Sequence, residues 1–210
     1  MKTIEFIANT DDDLHCVQAA FLMIVRYFKP EFEIGWEEWS RVTGFEAEKG
    51  SWATSSILWL NDHGFDVKAI EKFDYSDFAN RGKDYLREIF PQEDYEYAVR
   101  STNFESEEKL ARKLSAKDLV ENRAPNIEDI RHGIDNGYLV RAHVNSRKLD
   151  GLDGYIGHSV VIFDYDENGF LLHDPGNPPR PNFYAKLGNF VPAAFGDDGQ
   201  QGEINLVRLI

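Results

Sequence analysis

The segment that most restricts the fold is CVQAAFLMIVRYF, from Cys16 to Phe28. Val17, Ala20, Phe21, Ile24 and Phe28 recur at helical spacing, and Ala19, Leu22, Met23 and Val25 make the remaining faces apolar too. A helix with no polar face has to be central, covered on all sides by the rest of the chain. Asp12 or Asp13 stands where a cap would begin it, and Lys29-Pro30 ends it.

Around this helix the pattern changes along the chain. KTIEFIA alternates well enough for a first strand. IGWEEWSRVTGF and SWATSSILWLNDHG read as short helices stopped near Gly44 and Gly64, with Ser51 or Thr54 as a cap for the second, and FDVKAIEKF reads as a strand. DYSDFANRGKDYLREIF is helical with a break near Gly82. Residues 91–124 are rich in charge and carry no strand signal, so ESEEKLARKLSAKDLVEN is expected to form one or two surface helices. The last third differs. NIEDIRHGIDNG is a short helix capped by Asn126 and stopped at Gly137, YLVRAHVN is a strand, GHSVVIFDYDENGFLLHDP is a hairpin turning at 166–169, and GEINLVRLI is a closing strand. Helices first and an antiparallel sheet last give an α+β fold, and 210 residues suffice for one domain with a sizeable core.

Composition narrows the function. A formal net charge of −14 disfavours a nucleic-acid groove and an anionic membrane surface, both of which need clustered Lys and Arg. Its plain meaning is solubility; preference for a cationic substrate is a weaker reading. With a single cysteine, Cys16, the chain is not a disulfide scaffold. The opening MKTIEFIANTDDD has no signal-peptide run, and no stretch approaches the ~18 apolar residues of a membrane span. A cytoplasmic protein with no membrane insertion is expected.

Cys16 stands at the start of the central helix, where free N–H groups and the helix dipole favour a thiolate. A thiolate nucleophile needs a base within hydrogen-bond reach and a third group to hold that base. His158 and Asp174 lie at opposite ends of the hairpin and are roughly symmetric about its turn, so pairing brings them together. Beside this triad stand plainer readings: a buried cysteine as a small hydrophobe, and Asp-Pro-Gly as a turn.

The residues from Cys16 through its helix, GIDNGYLVRAHVN, and GHSVVIFDYDENGFLLHDPG together resemble the papain-like bacteriocin-processing peptidases, which act on double-glycine leaders. SWATSSILWLNDHGFDV is similar to the family's second helix. The resemblance is strongest over 133–176 and covers about two thirds of the chain. It implies a papain-like fold over a single domain, 1–210, with a helical insertion at about 74–124. It also implies Cys16 as nucleophile, His158 as base and Asp174 as orienting group. The sequence departs from the family where a glutamine usually donates to the oxyanion. Thr10 occupies that place with Asn9 beside it, so these two become the candidate oxyanion donors. Val17 replaces the glycine that usually follows the cysteine, while Asp11, Asp12 and Asp13 crowd the thiol and would raise its pKa.

A zinc site is the rival chemistry, since His15, Cys16, His143, His158, His173 and Asp174 are all ligand types. None has a tight ligand spacing, and His173 should point away from Asp174 along a strand. No metal and no cofactor is expected. Trp36, Trp39, Trp52 and Trp59 read as aromatic core or cleft lining, His63 as a helix-end charge, and Asp150 and Asp153 as cleft rim or solvated loop. The function these features support is thiol-based hydrolysis of a peptide or amide bond through an acyl-enzyme. A thiol acyltransferase and an inactive, peptidase-like binding module are the alternatives. The expected partner is a peptide or a small amide or acyl substrate, not a nucleic acid.

Overall fold

In a computed structural model describing residues 3–47 and 49–210, the central helix α1 covers Cys16–Phe28, and all nine residues from Val17 to Val25 are buried. Two short helices follow, α2 (Trp36–Val42) and α3 (Thr54–Asp62), then strand β1 (Phe65–Glu71). Four helices come next: α4 (Tyr75–Arg81), α5 (Lys83–Ile89), α6 (Gln92–Ser101) and α7 (Phe104–Ser115). Gly82 breaks the run between α4 and α5 at φ +50°, a left-handed value that favours glycine. The short β2 (Val120–Asn122) precedes α8 (Ile127–Asp135), which opens on a full capping box. Asn126 accepts from the Glu128 and Asp129 N–H groups, and Asp129 accepts from Asn126 N–H. Then come β3 (Leu139–Asn145), α9 (Ser146–Leu149), β4 (Gly157–Tyr165), β5 (Gly169–Asp174), β6 (Arg180–Lys186), α10 (Leu187–Phe195) and β7 (Glu203–Leu209).

The strands form one sheet in the order β2-β1-β7-β3-β4-β5-β6. All pairings are antiparallel except β1 with β2. Apolar side chains cover both faces. Phe65, Val67, Leu139, Val161 and Val207 pack with α1 and α3, whereas Val140, Ala142, Val160, Ile162 and Leu206 pack with α8 and α10. Burial on both sides explains why VVIF in β4 is a continuous apolar run rather than an alternation.

The α+β expectation holds, as do the central helix and the hairpin, but several details differ. KTIEFIA is not a strand over Thr3–Ala8, and Lys2 lies outside the described residues. The segment instead bonds at single points: Ile4 carbonyl meets His173 Nε2, and Asn9 N–H donates to Pro175 carbonyl at 2.8 Å. The region 91–124 contains β2, which is found by parallel pairing with β1 rather than by its own propensity. The sheet therefore begins before the last third. His15, not Asp12 or Asp13, precedes the first helical residue of α1 and makes no side-chain cap, and Ala53 rather than Ser51 or Thr54 precedes α3.

Candidate active site

Because its first turn is uncapped, α1 presents free N–H groups beside Cys16, at the positive end of the helix dipole. The turn that would have capped it is engaged with itself. Asn9 Oδ1 accepts from the backbone N–H groups of Thr10 (2.9 Å) and His15 (2.8 Å), and Asn9 Nδ2 donates one hydrogen to Asp13 at 2.7 Å. Thr10 Oγ1 donates to Asp12 at 2.6 Å and lies 2.7 Å from His15 Nδ1. His15 stacks on Phe45. Asp11, Asp12 and Asp13 are exposed, and none is among the main influences on the thiol.

His158 starts β4 opposite Val144, and the hairpin returns to Asp174 at the end of β5. A bulge between Ile162 and Asp164 shifts the register, so the last registered pair before the site is Val161 with His173. Alternation then turns His173 one way, to Ile4 carbonyl and the rings of Phe6 and Phe163, and Asp174 the other way. Asp174 Oδ1 lies 2.7 Å from His158 Nε2, with both residues buried. Gly176 N–H also donates to Oδ1, at 2.8 Å.

Half-buried Cys16 and the His158 imidazole act on each other electrostatically, each favouring the other's charged form. Burial opposes charge on both partners. It is outweighed on Cys16 by the His158 imidazolium, the Ser159 N–H and Arg141, which leave the thiol below its ordinary value. On His158 burial is outweighed by Asp174 and Cys16, and the imidazolium persists up to about 9. Burial likewise works against Asp174, but His158, Gly176 N–H and Arg180 hold it below the usual carboxylate range. These directions all favour a thiolate beside an imidazolium with a carboxylate behind it.

The sequence reading missed Arg180. It donates through Nε to Asp174 Oδ2 at 2.9 Å, adds a second contact through Nη2, and reaches Asp150 with Nη1. Asp150 therefore braces the site through Arg180. A basic residue six places after a candidate triad aspartate, inside the proline-rich NPPRPN, was the available signal. Trp39 and Trp52 are packed internally: Trp39 donates to Gln18 carbonyl at 2.8 Å, and Trp52 stacks on Phe78. Trp59 stacks on His63, while Trp36 stays partly exposed beside His15. Among the described residues no group of three or more His, Cys, Asp or Glu is placed to hold a metal ion, and no helix is long and apolar enough to cross a membrane.

No family model matches the chain, and no curated protein matches it. Solved structures do. The peptidase domain of Streptococcus ComA, a bi-functional ABC transporter involved in a quorum sensing pathway, superposes with a TM-score of 0.53 at 12% identity, covering 99% of this chain and 100% of that one. A double glycine motif protease from an AMS/PCAT transporter, in complex with its leader peptide, gives a TM-score of 0.50 at 12% identity, with 99% and 93% coverage. The resemblance drawn from Cys16, the GH strand and the Asp-Pro turn thus extends to the whole fold, and the chain has the papain-like α+β fold of these peptidase domains.

Proposed function

We propose that the chain is a papain-like cysteine hydrolase that cleaves a peptide or amide bond. Cys16 is the nucleophile, His158 the acid and base, and Asp174 the orienting group. The observation that carries this reading is the relay Asp174–His158–Cys16, in which each group supports the charge the next one needs. The thiolate attacks the carbonyl carbon and forms the carbon–sulfur bond. His158 gives its proton to the leaving nitrogen as the carbon–nitrogen bond breaks. Water, deprotonated by His158, then hydrolyses the thioester and restores the thiolate. The free N–H groups of α1 receive the oxyanion, assisted by the remaining amide hydrogen of Asn9; Thr10, whose hydroxyl hydrogen goes to Asp12 and whose N–H goes to Asn9, holds that amide in place. We take residues 1–210 as one domain, with 74–124 as a helical insertion.

That a structural neighbour was captured with a leader peptide supports a peptide as substrate, and a double-glycine peptide is the first to offer. A specific observation favours the second reading, a binding module: one hydrogen of the candidate oxyanion amide, Asn9, is already given to Asp13. Iodoacetamide alkylation of Cys16 against pH, on wild type and His158→Ala, decides the first step. An apparent thiol pKa well below the free value of ~8.5, with the shift lost in the variant, supports the hydrolase. An ordinary thiol in both overturns the resting ion pair and favours the binding module. Mass spectrometry of the protein quenched during turnover then separates hydrolysis from acyl transfer, according to whether water or an added amine resolves the acyl-enzyme.

A further inference from the structure

Arg141, on β3, is a fully buried cation at the centre of a small polar cluster between the sheet and α1. Its guanidinium lies over the Phe21 ring, 5.9 Å from the centroid. Nε and Nη2 both donate to Ser159 Oγ, at 3.1 and 2.7 Å, and Nη1 donates to Glu203 and, at 3.2 Å, to Asn205 Oδ1. Ser159 directly follows His158 on β4, the strand that packs against α1. Packing alone does not call for this arrangement, because replacing a buried ion pair with apolar side chains is often neutral or stabilising.

Charge counting shows what the arrangement does. Glu203 stands directly across from Glu71 in the β1–β7 register, and Tyr75 donates its hydroxyl to Glu71 at 2.9 Å. Two carboxyl groups face one guanidinium, so the set is near neutral only while one carboxyl keeps its proton. Glu71 is the holder: burial and Glu203 push it up to about 8. His143, beside Ser159 in the sheet, adds no charge, since burial and Arg141 push it down to about 4. On the helix side, Asp12 and Asp13 are turned to solvent and engaged with Thr10 and Asn9. Arg141 is thus the fixed positive charge behind the thiol, alongside the titratable His158.

We propose that Arg141 is a positioning residue of the thiol site: by gripping Ser159 it fixes the start of β4, and with it His158, against the head of α1, and it places a fixed positive charge behind Cys16. The Glu71–Glu203 pair sets how much of that charge the sulfur feels. The proposal rests on the thiol chemistry put forward above and deepens it.

The test is the pH dependence of Cys16 alkylation in two opposed variants, with circular dichroism and thermal melts to establish folding. Arg141→Gln is expected to raise the apparent thiol pKa by about one pH unit. The double variant Glu71→Gln, Glu203→Gln removes the Glu203 anion together with the titrating Glu71 carboxyl and is expected to lower it by a similar amount. A merely structural arginine gives no such opposite signs. Should Arg141→Gln unfold, the double variant decides alone, with a downward shift supporting the proposal. Both folded variants titrating like wild type overturns it, as does a double variant that does not shift down. A wild-type thiol titrating at its ordinary value, by contrast, overturns the hydrolase reading, and the opposed shifts about that value still decide the role of Arg141.

Discussion

Arg180 grips Asp174 by the oxygen that His158 leaves free: Nε lies 2.9 Å from Oδ2, while Oδ1 faces the imidazole. The carboxylate cannot rotate without breaking one set or the other. Arg180→Ala should therefore release Asp174 and lower kcat by about 10- to 100-fold, with KM little changed. Asp174→Asn should cost more, on the order of 10³-fold or above, because the amide no longer stabilises the imidazolium. Steady-state kinetics on a cleavable peptide checks both, and equal losses would remove Arg180 from this role.

Gly176 has no room to change. A Cβ there would lie 3.0 Å from both His158 Nε2 and Asp174 Oδ1. Gly176→Ala is expected to fold normally and to lower activity by about 100-fold, through displacement of the ring. The companion measurement is the His158 proton NMR titration, whose midpoint should fall from about 9 as the Asp174 contact lengthens.

Glu71 predicts a stability difference that depends on pH in a defined direction. Burial and Glu203 raise its pKa from 4.5 to about 8 in the folded chain, so between these values the native state binds the extra proton. The stability linked to that proton is full below about 4.5 and is lost as pH rises through about 8. Glu71→Gln keeps an acceptor for Tyr75 and removes the titration. Relative to wild type, the variant should gain on the order of 1–3 kcal/mol in going from pH 4 to pH 9, as read from denaturant melts. A constant difference across that range would show that Glu71 ionises freely.

The central helix should be sensitive to truncation. Phe21 is fully buried between α1 and the sheet, under the Arg141 guanidinium. Phe21→Ala is expected to cost about 3–5 kcal/mol in urea unfolding. The same variant should also disturb the thiol titration, because it loosens the cation above it.

The parts of the molecule that a sequence can state are those written in local pattern. Cys16–Phe28 announced itself by being apolar on every face, and Asn126 with Asp129 spelled a capping box. The hairpin could be read because its turn residues and flanking apolar runs agree, which also put His158 and Asp174 within reach of each other. What escaped depends on distant neighbours. Strand β6 carries Pro181 and is largely exposed, as suits an edge, and α10 contains Gly188 and Pro192 against its helical propensity. Phe190, Ala193, Ala194 and Phe195 hold α10 on the sheet all the same. Strand β2 exists through its pairing with β1. In the site, Arg141 acts through partners 18 to 64 residues away, a separation that no local motif records.

The place of β7 has a consequence for how the site comes into being. It is the last strand in chain order yet sits between β1 and β3, which do not pair with each other. Until Glu203–Leu209 slots in, Glu71 and Arg141 belong to two unjoined pieces of sheet, and Glu203 is beside neither. A chain still assembling can therefore bring Cys16, His158 and Asp174 together before the charges behind the sulfur are in place. Glu203 comes to face Arg141 only with the closing strand, so the charge behind the thiol takes its final value only when the protein around it is finished.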